Sequence, residues 1–546
     1  MDQVQVTTDW LRARAADTPD APALLVDDRW WRFGELDALA DRLCARLLAG
    51  GARPGDHVAV LLPNSLEMVG VVFALARLGA VMVPLNMRLT AAEVAWQVAR
   101  ADCARLICAP QTEAQAADVS AALPRLLLEG SSEQWTVSSI QYPVDSIQST
   151  VNSRQSTADS NRRPSLNTER WTLDTEHLSL DTDHRPLTTD HPPPATGHSP
   201  LAPPQAIVFT SGTTGYAKGA IITFANHFWS AAGSADRLGI VPGERWLACL
   251  PLYHVGGLAV LFRSCLYGTA VVLHESFDAT AVRRSLRDDG ITLVSLVPTM
   301  LSRLLHEGLT AADAPALRLI LLGGAAAPAA LLAEAHAAGL PVAVTYGLTE
   351  AASQVATMLP EGVAGKPGSA GKPLLFTSVA AVDDEGRELP PGAPGEIVVH
   401  GPTIMAGYYR DEAATAAALR DGRLHTGDIG YLDADGDLWL LDRRADLIVS
   451  GGENVYPAEV ERVLRQHPAV ALAAVVGLPH PDWGQQVAAA VVLRAPGAAT
   501  VDELLAHCRA HLAGYKCPRR LVLRDNLPQT ASGKVQRRLV AEQLLL

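Results

Sequence analysis

Hydrophobic and polar positions along this chain fall into blocks that predict strands and helices in alternation. In GELDALADRLCARLLAGG, residues 34–51, Leu36, Leu39, Ala40, Leu43 and Leu47 share one helical face, and a closing glycine pair supplies the C-cap. HVAVLLP, residues 57–63, reads as a buried strand, 65–78 as a helix, and AVMVPL, residues 80–85, as a second strand. A strand–helix–strand unit of this kind builds a parallel sheet covered by helices. Strand-like apolar runs recur at 206–209, 270–273, 293–297, 317–322 and 342–345. After Asp442-Arg443-Arg444 the composition shifts to a smaller pattern: helix 457–466, strands near 471–476 and 487–493, and helix 501–511. The expected fold class is α/β, with a large N-terminal domain (1–441) of parallel and mixed sheets and helices and a small α+β C-terminal domain (442–546).

One stretch breaks the pattern. Residues 131–200 are rich in Ser, Thr, Asp, Asn, Arg and His, and they repeat themselves loosely, as in DSIQST and NSRQST. Such a segment cannot bury enough apolar surface to offset its ordering entropy, so it predicts a disordered insertion between two elements of the sheet. It could even be translated repetitive DNA. Its histidines are too irregularly spaced to suggest a metal site.

Length and charge narrow the setting. At 546 residues the chain exceeds what one core holds and predicts at least two domains. It is 48% hydrophobic, yet no run is long and charge-free enough to cross a bilayer. The opening MDQVQVTTDWLRARAADTPD has no apolar core of a secretory signal. Cysteines at 44, 103, 108, 249, 265, 508 and 517 form no CxxC pair, which points to reduced thiols in a cytoplasm rather than a zinc site. A net charge of -13 disfavours nucleic acid as a partner and requires any anionic ligand to be held by local donors.

Those donors are concentrated in FTSGTTGYAKG, residues 209–219, directly after a predicted strand leaving a sheet edge. Hydroxyls at Thr210, Ser211, Thr213 and Thr214 alternate with Gly212, Gly215 and Gly219, and Lys218 follows. Glycines let consecutive N–H groups converge on an anion, and hydroxyls and a lysine add further donors. This is a polyphosphate-gripping loop. It is not a Walker A loop, because Lys218 is followed by Gly219 and no hydroxyl is left for a magnesium ion. Four more clusters follow in order. YGLTE (346–350) sets an aromatic, a hydroxyl and a carboxylate at a strand's C-terminal end, where open α/β sheets bind ligands. TGD (426–428) offers an acid suited to ribose hydroxyls. DRRADLIVSGGENVYPAEVE (442–461) supplies an arginine, a glycine pair and a proline-started helix. TASGKVQRR (530–538) presents Lys534 on a turn. Singly, each has a plain structural explanation: a helix cap, a turn, a solvated lysine.

Jointly and in this order, they resemble the adenylate-forming superfamily of acyl- and aryl-CoA ligases, luciferases and peptide-synthetase adenylation domains. The resemblance spans nearly the whole chain apart from 131–200. It implies that the small domain is a mobile lid and that two half-reactions occur. A carboxylate attacks the α-phosphate of ATP to give an acyl-adenylate and pyrophosphate; a thiol, coenzyme A, then displaces AMP. On that resemblance Thr210, Ser211, Gly212, Thr213, Thr214, Gly215 and Lys218 would hold the ATP phosphates. Glu350 would hold Mg²⁺, a hard ion suited to carboxylate and phosphate oxygens. Tyr346 would pack on adenine in a pocket lined by Gly324 and Ala325, with Gly347 and Thr349 beside it. Asp428 and Arg443 would take the ribose hydroxyls. Lys534 would bridge carboxylate and α-phosphate as the two anions close. Gly451 and Gly452 would let pantetheine pass.

Within the superfamily, PLYHVGGLAVLFRS (251–264), YGLTEAASQVATM (346–358) and LDRRADLIVSGGENVYPAEVE (441–461) are most similar to the o-succinylbenzoate–CoA ligases of menaquinone biosynthesis. Such a substrate carries a second carboxylate, on an aromatic ring, which needs a cation in an apolar pocket; Arg263 is the candidate. His254 would gate the acyl pocket, and Gly323, Ser353 and Gln354 would lie along it. Thr210, His254, Glu350 and Lys534 form the expected catalytic set. One departure stands out: Ala445 occupies the hinge position where the family often has Asp or Lys. Two alternatives remain open, a ligase for other aryl or medium-chain acids and a non-catalytic nucleotide-binding homologue. A peptide-synthetase module is disfavoured, since no carrier domain follows. The expected partners are small molecules only, with no membrane insertion, and self-association is left open.

Overall fold

The computed structural model describes residues 8–119, 123–128, 202–211, 217–442, 447–528 and 535–545. The expected insertion at 131–200 and the hinge residue Ala445 lie outside these. Helix Phe33–Ala49 buries Leu36, Leu39, Ala40, Leu43 and Leu47 together, as their spacing requires. Strand His57–Leu61 runs parallel to Val81–Pro84 through helix Leu66–Leu78. That helix starts where the Met68 N–H donates to Ser65 Oγ at 3.2 Å and stops at Gly79, whose φ of 72° ends it in the left-handed region.

Among the described residues three sheets form. One of seven strands contains His57–Leu61, Val81–Pro84, Pro204–Ser211 and Ala217–Thr223. A larger sheet carries parallel strands at Arg245–Ala248, Ala270–Leu273, Leu293–Leu296, Leu319–Leu322 and Val342–Leu348. It turns antiparallel at Ser353–Met358 and stays so through Ser369–Pro373 and Leu438–Asp442. Helices Leu66–Leu78, Phe224–Leu238 and Val255–Tyr267 contribute to one core with both of these sheets. The third sheet, of five strands, draws only on residues 448–523, and two separate apolar clusters cover it. The large and the small domain are therefore both present, and helices Pro457–Gln466 and Val501–His511 have the expected bounds.

One expectation needs correction. The strand before the phosphate loop is not at a sheet edge. It is interior, parallel to Val81–Pro84 on one side and antiparallel to Ala217–Thr223 on the other. From Ala217 the chain pairs antiparallel with the strand it has just left. The sheets are mixed, as expected, and the chain reverses at 349–353 without a crossover helix. Among the described residues no helix is long and apolar enough to cross a membrane.

Candidate active site

Strand Val342–Leu348 ends in the short 3-10 turn Thr349–Ala351, which carries Glu350 to the place where the two large sheets meet. Tyr408, from a strand of the other sheet, donates its hydroxyl to Glu350 Oε1 at 2.8 Å, and Thr210 Oγ donates to the same oxygen at 3.4 Å. The Lys218 ammonium stands 5.2 Å from the ring centre of the same Tyr408. Gly347 is required for closeness: a Cβ there would lie 1.8 Å from the Ser353 carbonyl oxygen. Glu350 and Thr210 both face a cavity of about 720 Å³. One carboxylate with a neighbouring hydroxyl suits Mg²⁺, which takes few protein ligands and fills its shell with phosphate oxygens and water. Among the described residues the one group of three acids whose oxygens lie within 4.8 Å of one another, Asp433, Asp435 and Asp437, already holds the Lys366 ammonium and lies elsewhere.

The same cavity gathers most of the expected residues. Thr210, Gly323, Gly324, Gly347, Thr349, Glu350, Ser353, Gln354, Asp428, His254, Arg263, Gly451 and Gly452 all line it. Asp428 accepts the Tyr346 hydroxyl at 2.5 Å, and its own N–H donates to Thr426 Oγ at 3.1 Å, so strand Arg423–Leu432 presents this acid in a fixed pose. Three expected residues are not part of the cavity wall. Tyr346 is 3% exposed and part of the core, and its hydroxyl orients Asp428. Ala325 and Lys218 are also outside the cavity wall. Ser211 closes its strand. Gly212, Thr213, Thr214, Gly215, Arg443 and Lys534 lie outside the described residues.

Arg263 projects from helix Val255–Tyr267 and is 2% exposed, the largest fully buried side chain among the described residues. Its guanidinium donates to Ser230 Oγ at 3.2 Å and lies 5.7 Å from the Trp246 ring, while its Nε has no hydrogen-bond partner. Among the described residues no carboxylate pairs with it within 4.0 Å. Burial lowers its pKa, and burial together with the charge of Arg263 pushes His227 down to about 3.

The other end of the cavity is built by the small domain. Gly451 and Gly452 join strands Ile448–Ser450 and Glu453–Val455 with φ of 60° and 85°. A Cβ on Gly451 would meet Trp483 ring carbons at 2.6 Å, and one on Gly452 would meet Val297 of the large domain at 3.3 Å. Glu453, which sequence reasoning missed, is 4% exposed and reaches into the large domain. It accepts from the Tyr253 hydroxyl at 2.9 Å, Arg88 Nη1 at 3.2 Å and Asn86 Nδ2 at 3.3 Å, and pairs with His254 Nε2 at 3.2 Å. Burial alone would raise its pKa; His254, Arg88 and Tyr253 outweigh that and hold the carboxyl at about 2. An acid directly after a glycine pair was the available signal, but nothing local says what it meets.

Known proteins fit this geometry. The family model for AMP-binding enzymes matches residues 11–409, and that for the AMP-binding enzyme C-terminal domain matches 459–534. A 2-succinylbenzoate–CoA ligase of Bacillus cereus is 38% identical over 537 residues, covering 98% of both chains. A double mutant of o-succinylbenzoate CoA synthetase (MenE) from Bacillus subtilis, bound with the product analogue OSB-NCoA, is 36% identical with TM-score 0.82 and 98% coverage of each chain. The same Bacillus subtilis protein in complex with ATP and magnesium ion is again 36% identical but has TM-score 0.66, over 97% of this chain and 98% of that one. With both domains matched and a full-length relative sharing more than a third of its residues, this chain belongs to the AMP-binding enzyme family.

Proposed function

We propose that the chain is an ATP-dependent, AMP-forming acid–CoA ligase that converts 2-succinylbenzoate to 2-succinylbenzoyl-CoA in menaquinone biosynthesis. Arg263 is the observation that carries the substrate: a buried guanidinium on the cavity wall with no carboxylate partner among the described residues. An unpaired buried charge is costly, and an anionic ligand group removes that cost. A ring carboxylate bound to Arg263 leaves the succinyl carboxylate free to react. Full-length similarity to 2-succinylbenzoate–CoA ligases supports the same assignment.

In the first half-reaction a substrate carboxylate oxygen forms a bond to the α-phosphorus of ATP and pyrophosphate leaves. Thr210, Ser211, 212–215 and Lys218 hold the phosphates, Asp428 and Arg443 the ribose, and Lys534 the oxygens at the reacting phosphorus. Glu350, with Thr210 beside it, would hold Mg²⁺, which neutralises phosphate charge when bound. In the second half-reaction the thiol of CoA adds to the acyl carbonyl carbon, its proton is lost, and AMP departs with the bonding pair. The Gly451–Gly452 turn admits the pantetheine arm, with His254 turned towards Glu453. The higher TM-score with the product-analogue complex supports assigning the present domain arrangement to this second step. The small domain, divided from the large one at 441/442, swings between the two steps as a lid.

The seven cysteines are free and buried, which suits a reducing compartment and a cytoplasmic enzyme. The test is a panel of carboxylic acids assayed for AMP release with and without CoA. The expected outcome is highest kcat/KM for 2-succinylbenzoate. Preference for benzoates or medium-chain acids lacking a second carboxylate would replace the substrate assignment, and absence of adenylation with any acid would overturn the enzyme assignment.

A further inference from the structure

Beside Glu453, the small domain makes a second buried contact that no step above uses. Lys516 follows helix Val501–His511 on a turn closed by its own N–H donating to the Ala513 carbonyl at 2.9 Å. Its side chain is 6% exposed, and its ammonium donates to Glu459 of the small domain at 2.9 Å and to Glu93 of the large domain at 2.7 Å. Burial alone would lower its pKa; the two carboxylates outweigh that and raise it. Ala513 is packed in a large-domain apolar cluster with Leu61 and Ile207, so the whole turn is seated there.

The contact is built to open. Glu93 belongs to the capping box of helix Ala91–Arg100, where its Oε2 accepts from the Thr90 N–H at 2.8 Å and Thr90 Oγ at 2.9 Å; only Oε1 faces Lys516. Lys516 has Glu459 within its own domain. If the small domain departs, Glu93 keeps Thr90 and Lys516 keeps Glu459, so neither charge is stranded. When it docks, Glu93 adds one charge-assisted bond across the interface, available in this arrangement alone.

We propose that Glu93 is a positioning residue for thioester formation, a latch that captures Lys516 and holds the small domain in its thioester-forming arrangement. The proposal rests on the two-step ligase assignment above. Glu93→Gln tests it cleanly, because glutamine at this position still completes a capping box while the charge facing Lys516 is lost. Both half-reactions are measured separately: pyrophosphate release on acyl-adenylate formation, and thioester formation from presynthesised acyl-adenylate and CoA. The expected result is thioester formation slowed roughly tenfold or more, with adenylation within about twofold of wild type and an unchanged melting temperature. In a Lys516→Met background, Glu93→Gln should add nothing further, since the partner is already gone. Equal slowing of both half-reactions, an undiminished thioester rate, or a full extra loss in the Lys516→Met background would each overturn the latch. A wild-type chain that forms no acyl-adenylate would overturn the ligase assignment itself, and the latch with it.

Discussion

Arg263 and Glu453 are buried charges on the wall of the same cavity, and they differ in what surrounds them. Arg263 has one serine hydroxyl, an aromatic ring and a nitrogen without a partner. Glu453 has four partners from the large domain, and its pKa is held at about 2. A charge left unsatisfied by its own protein is a binding site in waiting, whereas a charge satisfied by a second domain is a docking contact. On the proposed function, the acyl end of the cavity is completed by substrate and the thiol end by domain movement. Each end can be disturbed without the other.

The largest effect is expected where the two domain arrangements are distinguished outright. Lys534→Ala should slow acyl-adenylate formation by roughly two to three decades, the usual loss when a preorganised charge is removed from a reacting phosphate. The same variant, given presynthesised acyl-adenylate and CoA, should form thioester at near wild-type rate. Single-turnover measurements of both steps check this, and equal slowing of the two would mean that one arrangement serves both.

The comparison also marks how far the sequence could be read. Periodicity located helices such as Phe33–Ala49 and Pro457–Gln466 because each has one continuous apolar face. Glu350, Asp428 and Arg263 could be singled out because each stands in a short motif, and all three line the cavity. Glu453 and Lys516 were not: their partners Tyr253, Arg88 and Glu93 lie hundreds of residues away and are set only by how the domains dock. The Tyr346 contact was hidden for a related reason: its hydroxyl meets Asp428 on a strand distant in sequence, and the ring is buried.

At the acyl end, Arg263→Leu should raise KM for 2-succinylbenzoate by roughly one to two decades, the worth of one charge-assisted contact. An analogue lacking the ring carboxylate should be nearly indifferent to the change. If both substrates lose equally, Arg263 supports the fold around Trp246 and Ser230, and the contrast with Glu453 disappears. At the thiol end, Gly452→Val should do the opposite, slowing thioester formation roughly tenfold and sparing adenylation. A φ of 85° strains any side chain, and Val297 already lies 3.3 Å from where the Cβ would be.

The smallest effect is expected from the largest change. Residues 131–200 connect the edge strand Arg125–Leu127 to the interior strand Pro204–Ser211 of one sheet, and they lie outside the described residues. Replacing 131–200 with a short Gly/Ser bridge should leave both half-reactions close to wild type. The segment's composition offers little apolar surface to a core, and loop-closure entropy changes only by about 0.6 kcal/mol for each halving of loop length. Both ends of the cavity should keep their character. Measuring soluble yield, melting temperature and the two half-reaction rates decides the matter. Loss of folded protein would make the segment part of the scaffold, and a selective loss of one half-reaction would assign it to one end of the cavity.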